Sequence, residues 1–254
     1  IALTELHCNG NQLTSLDVSN NTSLEILYCH NNELTYLNMK NGVTDALTTF
    51  NATNNDSLEC IETLDPDYAT ANWTYANGNI DEGVTFSVIC GSSDLSNWHV
   101  ATTGSDLQGD GAHLSPFESI QTGINAAGDG DTIHVAAGTY VENIYIDKNI
   151  AVLGEDRETT IIDGDSSGSV VTFGNSVNET ALFSGFTITN GSGLMEDDPS
   201  NNWDNGLSKG GGIYLDESSP ILEQLIIENN TVSGGGGGIS KSSQNSSLHI
   251  SHSL

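Results

Sequence analysis

Residues 3–18 read LTELHCNGNQLTSLDV, and residues 24–39 read LEILYCHNNELTYLNM. Laid over one another at an offset of 21, they place Leu3 on Leu24, Leu6 on Leu27, Cys8 on Cys29, Asn11 on Asn32, Leu13 on Leu34, Leu16 on Leu37 and Val18 on Met39. A third, looser copy follows at Leu47, Phe50, Ala52 and Asn55, displaced by 23 because residues 42–45 lengthen the turn. Apolar positions that recur at such a period belong to stacked coils: no coil buries its apolar face alone, and each neighbour supplies the missing surface. The chain opens in a solenoid.

The pattern L-x-x-L-x-C-x-x-N-x-L-x-x-L resembles leucine-rich repeats, in which a short strand points alternate apolar residues inward and an asparagine bonds the backbone at the turn. Asp56-Ser57-Leu58-Glu59-Cys60-Ile61, then Asn72-Trp73 and Cys90, resemble the lid that closes such repeats in secreted proteins of the Bacteroidetes type. The likeness spans residues 1–91. Cys8 and Cys29 hold equivalent inward positions and read as small buried thiols, whereas Cys60 and Cys90 lie outside the repeat register. A Cys60–Cys90 bridge would close a loop of ~30 residues and add roughly 3–4 kcal/mol through loop-closure entropy. It would also imply an oxidising compartment. Four free thiols in a reduced protein is the other reading.

Residues 92–97 read as a linker, and beyond them the texture changes. Trp98-His99-Val100 reads as a first strand. Ser115-Pro116-Phe117-Glu118 reads as a capping box with proline at the first helical position, opening a helix that gathers Ile120, Ile124 and Ala127 on one face. From Thr132 the helical period gives way to short strands punctuated by Gly, Asn and Asp, the pattern of a coil that turns three times per rung. Residues 185–190 recur as 224–229, and Gly212-Ile213-Tyr214 recurs as Gly238-Ile239-Ser240 at a shorter offset. The mismatch between the two offsets locates an insertion within residues 194–208.

Trp98 to Asp106, Ser115 to Ile124 and Gly130 to Ile144 resemble the opening of pectate-lyase-like right-handed parallel β-helix proteins of the bacterial surface kind. The expected fold is thus mainly β: tandem solenoids, a short leucine-rich repeat and then a right-handed single-stranded parallel β-helix with an N-terminal capping helix. Residues 98–254 would be the N-terminal part of that β-helix, truncated at its C-terminus. Both ends of the chain read as cut, because it starts inside a repeat and stops on a strand.

Five Lys and Arg against 34 Asp and Glu give a formal charge of −29, which opposes nucleic acid and anionic lipid, since phosphate binding needs clustered cations. No apolar run is long enough to span a membrane. A monomer, secreted or exposed at the cell surface, is expected.

Catalytic sets are thin. β-Elimination needs a cation for the uronate carboxylate and a strong base, but Arg157 stands among Glu155, Asp156 and Glu158, and the lysines of the second module are only Lys148, Lys209 and Lys241. Glycoside hydrolysis needs two carboxyl groups on one groove. Asp129 with Asp131, or Asp163 with Asp165, could supply them, yet each pair sits in a Gly-rich turn that favours Asp for backbone reasons. Calcium is the one cofactor the residues suggest, at Asp106 and Asp110, where an ordinary acidic turn is the alternative. His249 and His252, three apart on a strand, would face opposite ways. The insertion sets Trp203 beside Asp197, Asp198 and Asp204, a combination that can stack on a sugar ring and bond its hydroxyls. A plain loop with Trp203 folded onto the solenoid wall is the reading favoured over it.

These readings favour a non-catalytic extracellular binding or adhesion module that recognises polysaccharide or surface partners and does not cleave acidic polysaccharide. The rival is a polysaccharide-active lyase or glycoside hydrolase whose active site lies beyond this stretch, and the third possibility is a structural spacer.

Overall fold

Strands of three or four residues dominate the computed structural model, which describes residues 2–90, 96–195, 208–233, 236–242 and 249–251. The chain divides into two units, one formed by 1–94 with 106–108 and the other by 95–105 with 109–254.

In the first unit, β1 (Glu5–His7), β2 (Ser15–Asp17), β3 (Ile26–Tyr28), β4 (Tyr36–Asn38), β5 (Thr49–Asn51), β6 (Cys60–Glu62) and β7 (Thr85–Ser87) build two parallel sheets, ordered β1-β3-β5 and β2-β4-β6-β7. Leu6, Leu27 and Phe50 stand in register in one sheet, and Leu16, Leu37, Ile61 and Phe86 in the other. Alternation along each strand turns these residues inward, where Leu24, Leu27, Leu34, Leu37 and Ile61 are fully buried.

The turn between the two sheets leaves backbone groups that no ladder satisfies, and asparagine side chains fill that gap. Asn32 Oδ1 accepts from the Leu13 N–H, and its Nδ2 donates to the carbonyls of Cys8 and Cys29, all at 3.0 Å. Asn55 repeats the device one coil on, accepting from the Leu34 N–H at 3.1 Å and donating to the carbonyls of Ala52 at 2.8 Å and Cys29 at 3.2 Å. Beyond it the Asp81 carboxylate accepts from the N–H groups of Asn54 and Asn55, both at 2.9 Å.

Helix α1 (Pro66–Asn72) starts where the Asp65 side chain accepts from the Tyr68 N–H and proline occupies the first turn. It delivers Trp73 against Phe50, with ring centroids 4.7 Å apart, and against Phe86 at 5.9 Å. Cys60 and Cys90 form a disulfide, while Cys8 and Cys29 are free. Beside the bridge, a buried Lys40–Glu62 ion pair spans 3.4 Å, and Glu62 also accepts from the Tyr36 hydroxyl and the Cys90 N–H at 3.2 Å each. Burial, and then the Glu62 charge, push the Tyr36 phenol up to about 12.

The second unit contains β8 (Asn97–Val100), α2 (Ile120–Ala126), β9 (Thr132–Val135), β10 (Gly138–Val141), β11 (Ile144–Ile146), β12 (Ala151–Gly154), β13 (Thr160–Asp163), β14 (Val171–Phe173), β15 (Leu182–Ser184), β16 (Thr187–Thr189), β17 (Leu194–Met195), β18 (Ser208–Lys209), β19 (Ile213–Leu215), β20 (Ile221–Glu223), β21 (Ile226–Ile227), β22 (Ile239–Lys241) and β23 (His249–Ser251). Three parallel sheets, β8-β9-β12-β15-β20-β23, β10-β13-β16-β21 and β11-β14-β19-β22, are visited in turn, so each rung lends one strand to each sheet: a parallel β-helix. Trp98, Ile133, Val152, Phe183 and Leu222 stack in register along its interior, none more than 2% exposed. Burying each such side chain contributes about 1.5–3 kcal/mol. The corner between β15 and β16 requires glycine: Gly185 has φ +87°, and a Cβ there would lie 2.4 Å from the Gly154 carbonyl oxygen. At the base of the insertion, β17 and β18 pair antiparallel.

The helix cap differs from the expected capping box. Ser115 lies in an isolated antiparallel bridge with Ala112, and Phe117 pairs with Val100, its N–H donating to the His99 carbonyl at 3.0 Å. Completing the first strand's ladder and burying the Phe117 ring hold residues 115–117 extended, and Ser119 becomes the N-cap by accepting from the Thr122 N–H. The Glu142 carboxylate then accepts from the N–H groups of Ile120 and Gln121 at 2.9 and 3.0 Å, and Lys148 Nζ donates to the Ile124 and Asn125 carbonyls at the other end. With both ends satisfied, α2 buries Ile120 and Ile124 against the first strands of the β-helix.

Candidate functional site

On β8 and β9 the alternation is strict: Trp98, Val100, Ile133 and Val135 are buried, so His99 and His134 point outward, and they face one another in register. Their rings stack with centroids 5.1 Å apart and 21° between planes. Two residues on, Ala101 and Ala136 continue the same outer face with small side chains and leave a furrow. The segment that returns through residues 109–117 forms its wall. The His99 N–H donates to the Gly111 carbonyl and the Ala101 N–H to that of Phe117, which fixes His113 and Pro116 alongside β8. Gly111 is required in this wall: its φ is +71°, and a Cβ would meet the Trp98 and Phe117 rings at 2.6 Å.

The result is an open groove of 410 Å³ lined by His99, His113, His134, Ala101, Ala136 and Pro116, with Leu153 and Glu155 from the next rung at its far side. His113 meets His99 edge-on at 4.9 Å. The His134 Nε2 lies 3.2 Å from Asn97 Oδ1, and Glu155 accepts from the Ala137 N–H at 3.0 Å. Burial first, and then the neighbouring His134 and His113, push the His99 imidazole below its usual value, because each disfavours a second positive charge at this point. The site therefore offers three polar aromatic rings, an apolar floor and one carboxylate. Among the described residues, no group of three or more His, Cys, Asp or Glu side chains is placed to share a metal ion.

None of the candidate residues singled out by the sequence is among those lining the groove that the structure describes. Trp203, Asp197, Asp198 and Asp204 fall outside the described residues, as does His252. Asp110 Oδ1 accepts from the Ala112 N–H at 3.0 Å as a turn residue, and Asp106 belongs to the other unit. Three of the four turn carboxylates accept hydrogen bonds that serve the fold. Asp131 accepts from the Trp98 indole and the Gly128 N–H, Asp129 from the Asn149 N–H, and Asp163 from the Asp165 N–H and the Asn190 side chain. The histidines of the groove match no catalytic or metal-binding motif but do carry a sequence signal: Trp98-His99-Val100 and Ile133-His134-Val135 are the same apolar-His-Val triplet, read from consecutive strands of one sheet.

No family model matches the chain, and no curated protein matches it. Among solved structures, the chain is similar to a pectin methylesterase in complex with a hexasaccharide, at 16% identity and a TM-score of 0.36, covering 60% of this chain and 45% of that one. It is likewise similar to pectin methylesterase PemA from Erwinia chrysanthemi, at 16% identity and a TM-score of 0.34, covering 61% and 46%. The chain spans less than half the length of these structures, and the parallel β-helix rests on the strand ladders themselves.

Proposed function

We propose that this chain is an extracellular, non-catalytic glycan-binding solenoid whose contact surface is the groove between His99, His113, His134 and Glu155. The observation that carries the reading is the groove's make-up: a floor of two alanines and a proline wall suits the apolar face of a sugar ring, while imidazoles and a carboxylate at its edges suit hydroxyls. The Cys60–Cys90 bridge supports an oxidising compartment, and no helix among the described residues is long and apolar enough to cross a membrane. The asparagine ladder supports reading the first coil as a leucine-rich repeat. The structural hydrogen bonds that Asp129, Asp131 and Asp163 accept support binding without cleavage.

Glycan-array screening followed by calorimetry tests this reading. Ala136→Trp, which fills the furrow, should abolish binding while leaving the melting temperature within a few degrees of the parent. Binding that survives both Ala136→Trp and His99→Ala would refute the site. Release of new reducing ends or unsaturated products would replace the binding reading with an enzymatic one.

A further inference from the structure

Three imidazoles meet in one groove of a chain whose formal charge is −29, so the groove is where positive charge can gather when the solution turns acidic. The ionisable groups that face it are His99 from β8, His134 from β9, His113 from the returning segment and Glu155 beyond β12. Glu155 already accepts from the Ala137 N–H and sits at the far side, so an anion would be held at the histidine end and neutral hydroxyls toward the carboxylate.

We propose that the groove is an acid-dependent site for a sparsely charged glycan, with one carboxylated or sulfated sugar held by His99, His113 and His134 and neutral sugars extending toward Glu155. This rests on the glycan-binding reading above and adds the ligand's charge and its pH dependence.

Geometry supplies the coupling. His99 and His134 stack at 5.1 Å and His113 closes on His99 at 4.9 Å, so protonating one ring opposes protonating the next. An anion seated against them removes that repulsion, and the ligand and the protons then bind together. An anion suits the rings better than a metal ion: among the described residues no three such side chains are placed to share a metal, whereas each imidazole can donate an N–H once protonated. The charge of the whole chain sets the other limit. A polyuronate would carry its remaining carboxylates over an acidic surface, within a Debye length of about 8 Å, whereas a single acidic sugar brings no such excess.

Each proton taken up together with the ligand lowers affinity by up to about tenfold per pH unit as pH rises, so one imidazole so linked accounts for roughly a tenfold fall between pH 5.5 and 7.5 and each additional ring adds to it. Calorimetry on the whole chain at these two pH values would use four probes: xylotriose bearing one glucuronate, plain xylotriose, a neutral trisaccharide carrying one sulfate ester, and an oligogalacturonate. The expected result is at least tenfold tighter binding of a singly charged sugar at pH 5.5, little pH dependence for xylotriose, and weaker binding of the oligogalacturonate. Comparing the glucuronate with the sulfate identifies which anion is preferred. His99→Gln with His134→Gln should bring the pH ratio toward one, as should the exposed His113→Gln in part, while His7→Gln in the other unit should not. Histidine ring NMR adds a direct readout: ligand should move the titrations of His99 and His134 upward. Groove binding that is equally strong at both pH values would overturn the acid dependence and leave the glycan reading standing. If none of the probes binds and Ala136→Trp changes nothing in a wider glycan screen, both fall together.

Discussion

Asn11 and Asn55 occupy the same place two coils apart, yet replacing each with alanine should have very different consequences. Asn55 is fully buried. Its loss strips the Leu34 N–H of its acceptor and the Ala52 carbonyl of the donor at 2.8 Å, while the Cys29 carbonyl keeps its bond from Asn32. Each buried backbone group left unsatisfied costs about 1–3 kcal/mol, so Asn55→Ala should destabilise the first unit by about 2–6 kcal/mol. Asn11 makes the corresponding bonds to the Cys8 and Asn9 carbonyls in an exposed position, where water replaces them, and Asn11→Ala should cost below about 1 kcal/mol. Urea unfolding followed by Trp73 fluorescence, in a background where Trp98 and Trp203 are replaced by phenylalanine, would measure both. Losses that agree within about 1 kcal/mol would refute the argument that burial, rather than the repeat position, gives the ladder its strength.

Cys60→Ser with Cys90→Ser opens a loop with a sequence separation of 30 and should cost roughly 3–4 kcal/mol, read from denaturant midpoints with and without reductant; peptide mapping without reduction should recover Cys8 and Cys29 as thiols. Because the folded state holds His99 below its usual value, His99 contributes stability that is complete above about pH 6.5 and declines as pH falls through the window beneath it. The melting temperature should therefore fall less between pH 7.5 and 5.5 in His99→Gln than in the parent, measured without ligand. Deleting residues 196–207 and rejoining β17 to β18 through a short turn should leave the fold intact by circular dichroism; if Trp203 also contacts glycan, Trp203→Ala will weaken binding on the same array that tests the groove.

Much of the fold was legible because a solenoid writes its packing into the sequence as a period. The offset between Leu6 and Leu27 is the register of β1 on β3, and the longer step to Phe50 is that of β3 on β5. In the same way the matches of Ile213 with Ile239 and of Ile188 with Ile227 became strand neighbours. What the pattern hid were strands whose apolar content is slight or mixed. Gly138–Val141 exposes Thr139 and Val141 and buries Tyr140, and Ile221–Glu223 follows a proline. Neighbouring rungs define such strands, since a parallel ladder satisfies their backbone whatever their own propensity. The helix start was misplaced for a related reason: a local capping pattern at Ser115 yields when extending the ladder beside β8 also buries Phe117.

The groove was illegible for the opposite reason. Packing repeats because every coil must match the one beneath it, but an outward position is free to vary, so it leaves no period to detect. His99 and His134 become neighbours only once β8 and β9 are placed in register, and His113 joins them only because Gly111 and Phe117 bond back to β8. Sequence motifs drew attention to carboxylates in Gly-rich turns, where the backbone itself demands Asp. The histidines answer no such demand: His99 loses some hydration and gains two like neighbours, which makes it harder to charge. Outward positions that no core packing dictates are where binding chemistry is best sought, and the apolar-His-Val triplets on adjacent strands are its trace in the sequence.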